Sequence, residues 1–194
     1  MEVHALFGIM AGVIALAAFP VYIHDVVRGK TRPNRATWLI LTLSGFILAA
    51  SYYASGARDT LWISLAYPLG FLAIAILSFK YGEKKWYRFD TVCLVLAVAS
   101  AALWWFLQTP LVTLFINVGI DFLGILPTIY KTYRKPSTES RSAWILDVIA
   151  SVFALLAVAQ WTFSIAFYPV YLLITNCIIV ILILRKKHSW RLNR

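Results

Sequence analysis

Residues 19–40 read FPVYIHDVVRGKTRPNRATWLI, and residues 126–146 read LPTIYKTYRKPSTESRSAWIL. Both stretches place a proline late in an apolar run, follow it with a basic loop, and begin a new apolar run near a tryptophan. Pro20 meets Pro127, and after one gap in the loop Arg35 meets Arg141 and Trp38 meets Trp144. Further along, Tyr67-Pro68 meets Tyr168-Pro169. Self-similarity in a fixed order is the mark of a repeated supersecondary unit. The unit is an apolar helix with a late Pro, a basic loop, a helix opening near Trp, and a third helix with an early Tyr-Pro.

The rest of the chain carries the same character. Of its 194 residues, 61% are apolar and 13% charged, against about 45–50% and about 25% in soluble domains. The mean hydropathy is +0.78. No soluble fold of this length hides so much apolar surface, which excludes disorder and an ordinary cytosolic enzyme. A spanning helix needs roughly 20 mostly apolar residues. Seven runs qualify or come close: 5–23, 36–55, 60–78, 91–107, 111–130, 142–160 and 164–184. The last two are separated by no charge, so a tight turn is expected within 160–167. No strand-like alternation occurs, so the backbone is expected to satisfy its hydrogen bonds as helices. The first run does not read as a cleaved signal peptide, because its leader holds Glu2 and His4 and no Lys or Arg.

The formal net charge of +10 falls in bursts between the apolar runs. The 18 Lys and Arg residues all lie in alternate loops or the tail, with the exception of Arg58. The positive-inside rule then places the N-terminus outside and the C-terminus in the cytoplasm. The charge is therefore topological, with some attraction to anionic lipid, and nucleic-acid binding is not expected. Cys93 and Cys177 lie inside spans, which argues against a disulfide framework or a thiol metal site. His4, His24 and His188 sit at span ends or in the tail, so no pair is placed to hold a membrane haem. The last span has no central lysine for retinal.

Two three-helix units joined directly would face opposite ways, since three is odd. One extra helix restores the second unit to the orientation of the first. The expected layout is residues 1–83 as a first repeat, 84–108 as linker helix four, and 109–194 as a second repeat with a basic tail. The fold class is thus an all-α membrane protein of seven helices, its parallel halves related by an axis along the membrane normal, a layout found in transporters. With the Pro20 and Pro127 helix ends, the basic loops and the paired Trp38 and Trp144, the chain resembles the PQ-loop repeat superfamily over about residues 5–187. Its 3+1+3 count is similar to the SWEET sugar transporters. The Gln that names the repeat is replaced by Val21 and Thr128, and the Asn that follows the third-helix Pro in SWEET-type repeats by Leu69 and Val170. The resemblance implies a carrier of sugar or a similar polar metabolite. Other members of the superfamily carry amino acids or act as sorting receptors.

Asp121 is the most informative single residue. It lies about eleven residues into span five, near mid-membrane, where an ionised carboxylate costs about 2.5–3.5 kcal/mol even on the lenient scale. It must face protein or water. Asn117, Asp121, Gly124 and Thr128 follow helical spacing and share one face, a stripe expected to point inward for solute contact or proton relay. Asp147, one turn into span six, is stabilised by the helix N-terminus and within reach of Arg141; a gate or second proton site is the functional alternative. Pro20, Pro68, Pro127 and Pro169 permit kinks and are candidate hinges, whereas Pro33 and Pro136 stiffen loops. Tyr67, Tyr168, Trp161 and Asn176 are candidates for lining a central cavity. Trp38, Trp144, Trp62, Tyr52 and Tyr53 are placed where interfacial aromatic belts fall.

No paired catalytic carboxylates, Ser/His constellation or Gly-rich phosphate loop is visible, so an enzyme is not expected. Two readings remain: a small-solute transporter, facilitative or proton-coupled, working by alternating access, or a receptor or scaffold that uses the same cavity, or the basic cytoplasmic loops, to hold a ligand without moving it. The expected partners are a small polar solute and membrane lipid, with no cofactor, metal or nucleic acid; a homo-oligomer stays open. The expected location is the plasma or inner membrane.

Overall fold

A computed structural model of the chain describes residues 2–54, 61–107 and 110–185. Those residues form seven α-helices and one short 3-10 turn. The helices are α1 (Glu2–Val27), α2 (Arg35–Ala54), α3 (Leu61–Tyr81), α4 (Arg88–Phe106), α5 (Pro110–Arg134), α6 (Arg141–Leu156) and α7 (Phe163–Leu184), with the turn at Pro136–Thr138. Among the described residues there is no strand. Four helical segments are long and apolar enough to cross a membrane: Val3–Val27, Arg88–Phe106, Leu114–Arg134 and Ile165–Leu184. Their outward faces are apolar too, with Ile9 64% and Ile181 65% exposed. A contiguous apolar exterior of this kind suits lipid rather than water. These features are those of a helical membrane protein.

Local sequence explains three of the helix ends. The α1 helix stops in a Schellman turn: Lys30 N–H donates to the Asp25 carbonyl and Gly29 N–H to the Val26 carbonyl, with Gly29 at φ 71°. Asn34 caps α2 by accepting the Thr37 N–H at 3.1 Å, and Ser140 caps α6 by accepting the Ala143 N–H at 3.4 Å. Each such cap contributes about 1 kcal/mol. The break between α6 and α7 falls earlier than the sequence suggests, with α6 ending at Leu156 and α7 starting at Phe163. Residues 157–162 contain no Gly, Pro or charge, so nothing local marks that turn.

Six helices close into a ring in the order α1, α6, α7, α5, α2, α3 and back to α1. The α4 helix stands outside this ring and packs on α2 and α5, burying Cys93 and Ala97 against Ile40, Ile47 and Ile120. Small residues allow close approach in two places. A Cβ on Gly45 would lie 2.9 Å from Pro68 Cβ across the α2–α3 contact, and one on Gly124 would lie 3.0 Å from Ile40 across α2–α5.

The basic loops meet at one end of the ring. Arg32 N–H donates to the Thr138 carbonyl at 2.9 Å, and Glu83 N–H to the Pro33 carbonyl at 3.1 Å. Lys135 pairs with Glu83 at 2.5 Å, and the Arg185 guanidinium at the end of α7 donates to the Tyr133 carbonyl. The lysine pKa is raised by that hydrogen bond to Glu83.

Candidate functional site: a central cavity

The ring encloses a cavity of about 480 Å³ lined by all six of its helices. Its existence follows from residue size. The α1 wall is Gly8, Ala11, Gly12, Ala15 and Ala18, and the α6 wall includes Ala143, Ala150, Ser151 and Ala154, with Ala157 just past its end. Both sets recur at spacings of three and four, which puts them on one helical face. With small side chains on these two adjacent walls, space is left for a ligand.

Aromatic and acidic groups furnish that space. Tyr67, Pro68 and Phe71 come from α3, and Tyr168 and Asn176 from α7. Phe19 packs edge-on against Tyr67 and Phe71, at 6.0 Å and 5.3 Å between ring centroids. Asp121 of α5 and Asp147 of α6 both line the cavity. The Tyr171 hydroxyl donates to Asp121 Oδ2 at 2.8 Å, orienting the carboxylate. Neither carboxylate has an ion-pair partner among the described residues. Asn176 Nδ2 donates to Ser151 Oγ at 2.9 Å, and Ser151 Oγ donates to the Asp147 carbonyl at 2.7 Å.

At the end nearest the basic loops the lining is Tyr22, Trp38 and Trp144, all nearly inaccessible to solvent. Behind them sits Glu139. Its Oε2 accepts hydrogen bonds from the Tyr22 hydroxyl at 3.0 Å and the Trp144 indole N–H at 2.9 Å. The Lys131 ammonium holds its other oxygen and also donates to the Arg32 carbonyl. A buried charge is tolerable only when paired and hydrogen-bonded, and Glu139 meets both conditions.

The residues singled out in the sequence divide accordingly. Asp121, Asp147, Tyr67, Pro68, Tyr168 and Asn176 meet in the cavity. Asn117 is half-buried off the cavity, and its Oδ1 has no hydrogen-bond partner. Trp161 lies in the α6–α7 turn, 68% exposed. Pro20 is exposed on α1, Pro127 is buried in α5, and Pro169 is half-buried in α7, none of them on the cavity wall. The polar stripe on α5 splits, because only Asp121 points into the ring. Gly124 meets Ile40 and Leu41 of α2, and the Thr128 hydroxyl donates to Thr37 of α2 at 2.9 Å. That part of the stripe serves helix contact.

Trp38 and Trp144 do not form an interfacial belt. The helices they open turn them inward, onto the cavity floor. The side chains of Tyr52, Tyr53 and Trp62, with Arg58 and His188, lie outside the described residues. Sequence reading overlooked Tyr22, Tyr171, Lys131 and Glu139. One signal was present: Glu139 is the single acid in the loop between span five and span six, among Lys131, Arg134, Lys135 and Arg141.

Compared with known proteins, the chain matches no family model, no curated sequence and no solved structure.

Proposed function

We propose that this protein is a small-solute carrier that works by alternating access between two three-helix units. The observation that carries this reading is the cavity itself, walled by helices from both halves of the chain and of a size usual for small-molecule sites, roughly 300–1,000 Å³. The ring order supports the repeat. Exchanging α1 with α5, α2 with α6 and α3 with α7 returns the same cyclic order, α1–α6–α7–α5–α2–α3, as two parallel units about an axis along the helices require. The matching helix caps at Asn34 and Ser140 point the same way.

In this reading the protein is not an enzyme and has a PQ-loop-like, SWEET-like architecture. Its α4 is the linker, its N-terminus is outside, and its basic loops are in the cytoplasm of a cell bounded by the plasma or inner membrane. The layer of Tyr22, Trp38 and Trp144, anchored on Glu139 and Lys131, is the cytoplasmic closure. Pro68 on the wall, with the other helix prolines, is where the units flex. Uptake of labelled small solutes into liposomes containing the full chain tests this. Saturable uptake above protein-free liposomes is expected. Saturable binding with no uptake of any solute would make the protein a receptor instead.

A further inference from the structure

The acidic side chains that the structure describes are treated in two different ways. At the basic end each has a donor. Asp25 accepts from Ser140 Oγ at 2.6 Å, Glu83 pairs with Lys135, Asp90 accepts from Asn34 and the Tyr87 N–H, and Glu139 pairs with Lys131. In the cavity the pattern reverses. Among the described residues no Lys, Arg or His lines it. Asp121 has one neutral phenol for company, and the Asp147 carboxylate has no hydrogen-bond or ion-pair partner among the described residues. Two carboxylates facing one low-dielectric space with no counter-charge are costly. A bound cation removes that cost.

Three neutral polar groups of the wall are engaged with one another or with backbone. Ser151 donates to a backbone carbonyl, Asn176 donates to Ser151, and Thr175 donates to the Tyr171 carbonyl. The aromatic faces are well suited to a positive charge, since a cation over a π-face is attracted by the ring quadrupole. A metal ion fits poorly: among the described residues no group of three or more His, Cys, Asp or Glu is close enough to hold one.

We propose that the ligand of this cavity is a small organic cation, an amine or quaternary ammonium ion, neutralised by Asp147 and Asp121 and seated against Tyr67, Phe71 and Tyr168. This deepens the carrier reading and rests on it for the claim that the ligand is moved. The cation and the carrier fail in different ways. The probes are choline and benzyltrimethylammonium, with glucose as the neutral comparison. Binding to the full chain in detergent is read from quenching of tryptophan fluorescence, since Trp38 and Trp144 line the cavity. Transport is read from liposome uptake.

Saturable binding of either cation is expected, weakened about tenfold or more by Asp147→Asn and recovered in part by Asp147→Glu. Asp121→Asn, which keeps a partner for Tyr171, provides a second variant should the first fail to fold. Cation binding without uptake upholds the cation and overturns the carrier. Glucose uptake that neither cation inhibits upholds the carrier and overturns the cation. Cation binding equal in wild type and in both Asn variants overturns the assignment to this cavity.

Discussion

Lys131 and Glu139 form an ion pair sealed from solvent, with side-chain exposures of 2% and 0%, where the last turn of α5 meets the turn into α6. Breaking one side of such a pair strands the other charge, at a cost of about 3–5 kcal/mol. Lys131→Met should therefore lower the melting temperature in detergent sharply. Lys131→Met with Glu139→Gln should be less damaging than Lys131→Met alone, because no charge remains buried. If the double variant is the worse of the two, the pair is not the anchor described above.

Tyr22 and Trp144 share one oxygen of Glu139, so their contributions should not add. A hydrogen bond to a charged acceptor is worth about 1.5–3 kcal/mol. Tyr22→Phe removes one, and Trp144→Phe removes the other. A double-mutant cycle by thermal unfolding is expected to show coupling of about 0.5 kcal/mol or more. Strict additivity would mean the two rings are held independently.

If the protein is a facilitative carrier, Asp121 contributes affinity rather than coupling. Asp121→Asn then raises the half-saturating solute concentration, and uptake responds to an imposed pH gradient no differently from wild type. Loss of gradient-driven accumulation with solute exchange preserved would make Asp121 a proton carrier. Unchanged uptake would remove it from the site.

Gly45 and Gly12 should respond oppositely to alanine. A methyl at Gly45 meets the Pro68 ring at 2.9 Å and the Pro68 Cα at 3.2 Å, while one at Gly12 meets nothing within 4 Å. Gly45→Ala is expected to destabilise by about 1–3 kcal/mol. Gly12→Ala is expected to be neutral or stabilising, since alanine is favoured in a helix by up to about 1 kcal/mol. Thermal melts of the two variants side by side check the α2–α3 contact.

Lys135 predicts an alkaline limb in stability. Its pKa is raised, chiefly by the hydrogen bond to Glu83, so the folded state holds the proton more tightly than the unfolded one. The contribution is complete below the ordinary lysine value, about 10.4, and is lost as pH rises through the higher folded value. It is small, because the Lys135 side chain is 51% exposed and water screens the pair. Melting curves across that range should show the limb in wild type and a weaker one in Lys135→Gln.

Much of the fold was legible locally. The apolar runs found the helices because hydropathy over a window decides which segments a bilayer accepts. The basic bursts mark loops that contact one another at one end. Asp121 and Asp147 could be picked out because a carboxylate inside an apolar run is costly wherever the helix lies. The α6–α7 turn escaped, since residues 157–162 carry none of the residues that break helices.

The ring closure decided the rest. Tyr22 and Glu139 stand 117 residues apart in sequence, and nothing in either neighbourhood names the other. Trp38 and Trp144 sit at helix starts, where belts and cavity floors have the same local pattern; only the packing of α1 on α6 and α2 on α5 turned them inward. The stripe of Asn117, Asp121, Gly124 and Thr128 shares a face by spacing alone, yet α2 covers Gly124 and Thr128 and leaves Asp121 on the cavity wall. Helix periodicity assigns residues to a face, but what covers that face is chosen by partners distant in sequence.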